Sequence, residues 1–164
     1  MKSLVPAILI CFFLCGCATE PVVPSAGPSE QNRTVAVWDL EDLSPSGVSQ
    51  MDLGNLLSAR IMETVQQGGY LIVEREKLEV ALRELNLGSS SLADASTRLR
   101  IGRITGAKWM IFGAYQVISD QMRLDLRLVD VETGRIIKTA EKTAASSNLS
   151  GWLNAAEMAA KDLI

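Results

Sequence analysis

The chain has 164 residues, with 16 Lys and Arg, 19 Asp and Glu, three Cys and no His, and a net charge of −3 at pH 7. Without histidine it lacks the residues of Ser-His-Asp and Cys-His nucleophilic sites and of the usual Cys/His zinc sites. Its net negative charge is also unlike the basic surface of a nucleic-acid binder. We therefore expect no enzyme, no metal or cofactor and no nucleic-acid partner, in a chain long enough for one domain with its own core.

The N-terminus has the pattern of a secretory signal. Lys2 precedes an apolar run over residues 4–14, and the sequence LCGC follows at 14–17. The run is shorter than the ~20 residues that a membrane-spanning helix needs. LCGC resembles a bacterial lipoprotein box, which predicts removal of residues 1–16 and lipidation of Cys17. The alternative is an ordinary signal peptide with a chance cysteine.

Removal of the signal would leave Cys17 as the sole cysteine, so no disulfide could form within the mature chain. Loss of Lys2 would change the charge to 15 − 19, which is −4. Each buried lipid methylene contributes roughly 0.8 kcal/mol, so several acyl chains predict a stable membrane anchor. Ala18 and Thr19 follow the cysteine in place of the aspartate that often retains lipoproteins at the inner membrane. The predicted location is the outer membrane, facing the periplasm.

A tether is predicted to follow the anchor. Residues 17–33 include Pro21, Pro24 and Pro28 among serine and glycine, a composition that favours an extended linker over a packed core. The folded domain is predicted to span residues 34–164.

The first half of this domain alternates strand and helix patterns. A β-branched run at 34–40 predicts a strand, and apolar residues recur at helical spacing from Leu53 to Val65 before Gly68 and Gly69 (Leu53, Leu56, Leu57, Ile61, Val65). A short buried strand is predicted at 70–74 and a helix at 75–87, ended by Gly88. A start resembling a capping box at 91–94 predicts a third helix to about residue 105.

The second half reads as three strands and a closing helix. Strands are predicted at 108–119, 122–130 and 135–143, the second with strict apolar and polar alternation. The helix at 151–164 has a predicted core stripe of Leu153, Ala156, Ala160 and Leu163. The order β-α-β-α-α-β-β-β-α indicates an α/β (α+β) sandwich, in which helices pack on a mixed, mostly antiparallel sheet of about five strands.

Four segments in order carry a family resemblance. They read VAVWDL at 35–40, YLIVER at 70–75, IGRITGA at 101–107 with IFG at 111–113, and LRLVDVETG at 126–134. Behind a lipoprotein box, this order resembles the CsgG-like family of outer-membrane lipoproteins, over about residues 34–140. The resemblance implies a CsgG/TolB-N-terminal-like fold, a homo-oligomer and a role in export or assembly.

The chain also departs from the family's founder, the curli secretion channel, in which two long hairpins around the last strands form the pore. Residues 119–121 join the corresponding strands directly, and the last strand leads straight into the final helix. Membrane strands need ~9–11 residues each, and no such surplus exists. The resemblance is therefore to short, pore-less members, of the PelC type.

Four residues are candidates for structural or interface roles. Glu74 and Arg75 stand between a predicted strand and helix, where charge pairs are usually architectural. Gly113 lies within a strand, where glycine permits close approach of another backbone, either in the sheet or across a subunit contact. Gly134 is predicted to be a turn residue.

Trp152, beside the presumed core position Leu153, is a candidate for contact with the membrane or with another subunit. An amphipathic indole suits the lipid–water interface, and packing in the core or against a subunit is the alternative. Asp39, Glu41 and Asp42 form the nearest approach to an acidic cluster. They are candidates for facing a cationic polymer, with a solvated loop as the alternative.

The predicted function is that of a non-enzymatic accessory lipoprotein in export or assembly of an extracellular polymer, with an outer-membrane channel or export complex as partner. A PelC-like polysaccharide-export ring is the leading hypothesis. The alternatives are an activator of a peptidoglycan synthase, of the LpoB type, and a curli or flagellar assembly factor.

Overall fold

Six strands and four helices make up the part of the chain that the structure, a computed structural model, describes: residues 33–45, 52–85, 93–144 and 148–164. In chain order they are β1 Thr34–Val37, β2 Glu41–Asp42, α1 Leu53–Gln67, β3 Leu71–Ile72, α2 Arg75–Glu84, α3 Ala95–Ile104, β4 Trp109–Ile118, β5 Gln121–Asp130, β6 Ile136–Thr143 and α4 Leu149–Leu163. The predicted signal, Cys17 and nearly all of the tether lie outside the described residues.

The strands form one mixed sheet in the order β3-β1-β4-β5-β6, and the short β2 pairs with β4 beyond the end of β1. β1 runs parallel to β3 and β4, whereas the long pairs β4–β5 and β5–β6 are antiparallel. This arrangement confirms the predicted mixed, mostly antiparallel sheet and adds one two-residue strand to it.

Helices cover both faces of this sheet. On the face named here the α1/α4 face, alternate residues of β5 from Met122 to Leu128 are buried in the larger core. On the opposite face, the α2/α3 face, α2 and α3 enclose a smaller core with Ala36, Trp38 and Met110. Strand alternation explains this division, because successive side chains point to opposite faces.

The helical periodicity predicts the buried side of α1 except at one position. Leu53, Leu57, Ile61 and Val65 are buried, but Leu56 is 38% exposed because it lies on the flank of that stripe. In α4 the buried positions are small residues and one leucine (Ala155, Ala156, Ala159, Ala160, Leu163), and Leu153 is only half-buried. Alanines let α4 approach the sheet and α1 closely.

Several predicted boundaries were wrong. The strand predicted at 34–40 ends at Val37, and the strand predicted as buried at 70–74 is a two-residue edge strand in which Leu71 is 49% exposed. The second helix ends at Glu84, so it is shorter than predicted, and Gly88 lies outside the described residues.

Two helix starts also differ from prediction. Asp94, not Ser91, is the N-cap of α3, since its carboxylate accepts a hydrogen bond from the Thr97 backbone N–H at 2.7 Å. Helix α4 begins at Leu149 because the Asn148 side chain accepts from the Gly151 N–H at 2.8 Å and caps it.

The β4–β5 connection is a two-residue turn. Ser119 and Asp120 both have positive φ, 48° and 65°, as the turns that suit the twist of a tight hairpin require. None of the described helices combines the length and the apolar character needed to cross a membrane.

Candidate functional site

Arg75 joins three segments at the end of the sheet where β1 and β3 finish. As the first residue of α2, it places Nη2 3.0 Å from Asp39 Oδ1, and its Nη1 donates to Asn55 Oδ1 at 2.8 Å. Its Nε also lies 3.4 Å from Glu79 Oε1. The guanidinium thus ties the loop after β1 to the starts of α1 and α2.

Glu74, the residue before α2, does not pair with Arg75. Its carboxylate faces Lys77 at 3.8 Å, both side chains are largely exposed, and Glu74 makes no side-chain capping bond. An ion pair in this setting contributes little to stability. Within the described chain, Arg75 therefore has the structural contacts and Glu74 has few.

A second arginine, Arg98 on α3, contacts strand β2 and the loop that precedes it from the α2/α3 face. Its Nη1 lies 2.9 Å from Glu41 Oε1, its Nε donates to the Ala93 carbonyl at 2.8 Å, and its guanidinium lies 5.8 Å from the centroid of the Trp38 ring. Arg98 was not among the candidate residues predicted from sequence. No local pattern could have found it, because Arg98 and Glu41 are 57 residues apart.

The three acids predicted to cluster, Asp39 in the loop after β1 and Glu41 and Asp42 in β2, do not form a free negative patch. Asp39 and Glu41 are each paired with an arginine of the same chain. Desolvation raises the pKa of Asp42, but hydrogen bonds from Ser44 and Tyr115 outweigh it, so this pKa lies below its ordinary value. These contacts favour a structural role, and the polymer-facing role of the three acids stays a prediction.

Gly113 is crowded from within the sheet. A Cβ at this position would lie 2.5 Å from Leu126 Cδ2, 2.7 Å from the Asp125 carbonyl oxygen and 2.9 Å from Leu40 Cδ2. Leu126 is its cross-strand partner on β5, and Leu40 comes from the segment that joins β1 to β2. All of these contacts are within one chain.

Gly134 closes the β5–β6 turn with φ of 70°. Asp130 organises this turn: its Oδ1 accepts from the backbone N–H and the hydroxyl of Thr133, each at 2.8 Å. These two hydrogen bonds, with Lys108 Nζ at 3.2 Å, lower the pKa of Asp130 from 3.8 to about 2. The sequence DVETG therefore specifies a turn held together by a half-buried carboxylate.

Trp152 lies in the first turn of α4 and packs, half-buried, against the larger core. Its indole Nε1 is buried and has no hydrogen-bond acceptor among the described residues. A buried indole nitrogen is the opposite of what the lipid–water interface offers, where that N–H stays wet. The position favours core packing, and the membrane contact stays a prediction.

Part of the α2/α3 face forms a surface groove that was not predicted from sequence. Arg127, on β5, is exposed there and forms no ion pair with any described residue, and it lines a groove of about 220 Å³ with Leu99, Phe112 and Ile136. Ile136 and Ile137, on the edge strand β6, are 55% and 51% exposed. Exposed isoleucines on an edge strand are typical of a contact surface.

Across residues 33–45, 52–85, 93–144 and 148–164, no three acidic or cysteine side chains come together as metal ligands. The charged groups described above include arginine–carboxylate pairs at element ends and the exposed Arg127 on the inner strand β5. Such groups recognise partners by charge and shape.

Residues 23–117 match the family model described as curli production assembly/transport component CsgG, which is more than half of the chain. The chain belongs to the CsgG family. The resemblance predicted from sequence is thereby confirmed. The match starts at Val23, inside the predicted tether, and ends at Val117 near the end of β4, so the segment at 126–134 lies beyond it. No match was found among curated protein sequences.

Solved structures share the fold of this CsgG-family chain. The LpoB C-terminal domain from Escherichia coli has a TM-score of 0.61 at 18% identity, over 70% of this chain and 84% of that domain. Lipoprotein GNA1162 from Neisseria meningitidis has a TM-score of 0.58 at 15% identity, over 77% of this chain and 94% of that protein. A PelC dodecamer from Paraburkholderia phytofirmans has a TM-score of 0.53 at 17% identity, over 81% of this chain and 89% of the PelC chain. The predicted α/β sandwich is confirmed.

Proposed function

We propose that this CsgG-family chain is an outer-membrane lipoprotein, anchored through Cys17, that acts without catalysis in the export or assembly of an extracellular polymer. Its folded domain would face the periplasm and assemble with copies of itself into a ring. Polysaccharide export of the PelC kind is the leading assignment. An outer-membrane channel or export complex is the expected partner.

The observation that carries this proposal is the connection between β4 and β5. The channel member of the family implied by the resemblance has long hairpins around its last strands. Here Ser119 and Asp120 alone separate β4 from β5, and only residues 144–148 separate β6 from α4. A transport-family domain without these insertions is suited to organise a channel made by another protein.

Charge would supply the guidance in such a ring. The mature chain carries −4, and repeating it around a ring produces a negative field that attracts and steers a cationic polymer. Since Asp39 and Glu41 are paired with arginines, we expect this field to come from the summed charge. Binding of a cationic polysaccharide should therefore weaken as salt is raised, because salt screens exposed charges beyond ~8–10 Å.

The first experiment is a mass measurement on the lipidated protein in mild detergent, with Cys17→Ser as the unanchored control. Native mass spectrometry should find a discrete high oligomer for the lipidated form. Confinement to a membrane raises effective concentration, so the Cys17→Ser form should assemble less completely. A lipidated protein that is monomeric at every concentration would rule out the ring.

A second candidate function is activation of a peptidoglycan synthase. It is favoured by one observation, the similarity of fold to the LpoB C-terminal domain over 70% of this chain. Crosslinking in cells followed by co-purification separates the two functions. An outer-membrane channel or polymer synthase among the partners supports export, and a penicillin-binding protein supports activation.

A further inference from the structure

A groove on the α2/α3 face combines apolar walls with a free positive charge. It lies between α3 and the strands β4, β5 and β6 and has a volume of about 220 Å³. It is named here the Arg127 groove, after the charged residue among those that line it (Leu99, Phe112, Arg127, Val129, Ile136). Side chains from four separate elements thus enclose one concave surface.

The walls of this groove are held in place by the fold. Phe112 and Arg127 are cross-strand partners in the β4–β5 ladder. Gly134 brings the β5–β6 turn against α3, since a Cβ at this position would lie 3.2 Å from Leu99 Cδ1. The turn is itself fixed by the hydrogen bonds that Asp130 accepts. A groove that is already formed needs little ordering when a ligand binds.

Arg127 keeps its charge free because a neighbouring arginine takes the acids of the same strand region. Arg123, Asp125 and Arg127 alternate along β5, so they lie on one face of the sheet. Arg123 holds Asp125 through two hydrogen bonds of 3.0 Å and places Nη2 3.0 Å from Glu141 Oε2. Arg127 forms no ion pair or hydrogen bond with any described residue.

The other arginine that lines the groove is already paired. Arg98 Nη1 lies 2.9 Å from Glu41 Oε1, and its guanidinium lies over the Trp38 ring. Among the described residues, no acidic side chain lines the groove. The charge that a ligand meets there is therefore that of Arg127, and it favours an anion.

The volume and lining of the groove suit one side chain of a protein partner. An apolar cavity of about 150 Å³ holds a benzene ring, whereas sites for drug-sized molecules enclose roughly 300–1,000 Å³. At about 220 Å³, the Arg127 groove has room for one aromatic or large aliphatic side chain. Apolar anchors that fill such pockets, together with arginines, supply much of the binding energy at protein interfaces.

We propose that the Arg127 groove binds a partner segment in which a large apolar side chain stands beside a carboxylate. The apolar side chain enters between Leu99, Phe112 and Ile136. The carboxylate accepts hydrogen bonds from the Arg127 guanidinium, a charge-assisted contact that arginine makes well. This assignment rests on the accessory function proposed above, in which the chain acts by binding an export partner, and it names the chemistry that the partner presents.

Blocked dipeptides test both halves of this recognition on the lipidated chain in mild detergent. The probe is N-acetyl-Phe-Asp-amide, and its analogues are N-acetyl-Phe-Asn-amide, without the carboxylate, and N-acetyl-Ala-Asp-amide, without the ring. Ligand-observed NMR gives the three dissociation constants. The Phe-Asp probe should bind about fivefold more tightly than Phe-Asn, as expected for a strong exposed ion pair. It should bind about tenfold more tightly than Ala-Asp, because the phenyl ring is buried.

Substitutions in the chain locate each contact. Arg127→Gln should abolish the preference for Phe-Asp over Phe-Asn. Its matched control is Arg100→Gln, which removes an exposed arginine of α3 outside the groove and should leave the preference unchanged. Ile136→Ser should weaken both aromatic probes, whereas Ile118→Ser, at a similarly exposed isoleucine beside the β4–β5 turn, should not. Circular dichroism melts verify that every variant is folded.

Three results would overturn the site: equal binding of Phe-Asp and Phe-Asn, a preference that survives Arg127→Gln, or no binding of either aromatic probe at millimolar concentration. Binding only to the unassembled Cys17→Ser form would show that a second copy of the chain covers the groove, which would overturn the external partner. Failure of these probes leaves the ring and the export role standing. A lipidated chain that is monomeric and still binds Phe-Asp would overturn the ring and retain the groove.

Discussion

The substitution Gly113→Ala tests whether this glycine serves the sheet or a subunit contact. Its added Cβ would lie 2.7 Å from the Asp125 carbonyl oxygen and 2.5 and 2.9 Å from two leucine methyl groups. The leucine side chains can rotate away. The carbonyl cannot, because the continuous β4–β5 ladder holds its strand in place.

The expected cost follows from this backbone contact. Overpacking a closely packed region costs ~1–3 kcal/mol, and a contact that shifts backbone belongs at the upper part of this range, about 2–3 kcal/mol. In a domain of this size 1 kcal/mol changes Tm by roughly 4 °C, which gives a decrease of about 8–12 °C.

The assay is a thermal melt followed by circular dichroism, with Gly54→Ala as the matched control. A Cβ on Gly54, in the first turn of α1, would meet nothing nearer than Tyr115 Cε1 at 3.5 Å. Alanine is favoured over glycine in helices by up to ~1 kcal/mol, so this control should melt at the same temperature as wild type or slightly higher.

One result would refute the reasoning. If Gly113→Ala melts within about 2 °C of wild type, the crowding within the sheet costs nothing measurable. If the same variant then loses its oligomeric state, Gly113 acts at a subunit contact, which is the other role that the sequence allowed. A large decrease in Tm with assembly retained at low temperature would support the structural role.

Three further predictions concern stability. The pKa of Asp130 is lowered from 3.8 to about 2, so its carboxylate stabilises the fold above pH 3.8 and this contribution is lost as pH falls through 2. The pKa shift corresponds to roughly 2 kcal/mol of unfolding free energy. Asp130→Asn should therefore lower the stability at pH 7 and lower it much less at pH 2, as measured by urea titrations at both pH values. Asn148→Ala removes the cap of α4 and should lower the unfolding free energy by about 1 kcal/mol. The control Asn154→Ala, an exposed position in the middle of the helix, should change it very little. Equal effects of the two substitutions would argue against the cap. Ser58→Ala should raise stability by about 1 kcal/mol, because the hydroxyl is buried without a partner among the described residues, and a lower denaturation midpoint would contradict this reading.

Local sequence patterns determined the element types of this protein and most of its core. The two-residue alternation of β5 and the helical repeat of α1 each place apolar groups on one side, and burial of that side is the main favourable term in folding. The order of elements then specified an α/β sandwich, and four segments indicated the CsgG family. These features depend on neighbours a few residues apart, so they can be read from the chain directly.

Contacts between distant segments were decided only by the tertiary structure. The acids Asp39 and Glu41 look like a free negative loop in sequence, but folding brings Arg75 and Arg98 against them. Likewise, no pattern indicates that β3 and β6 lie at opposite edges of one sheet, because strand order is set by how the helices and strands pack together. Ion pairs and surfaces of this kind arise from residues brought together in three dimensions, and a linear pattern contains no measure of that distance.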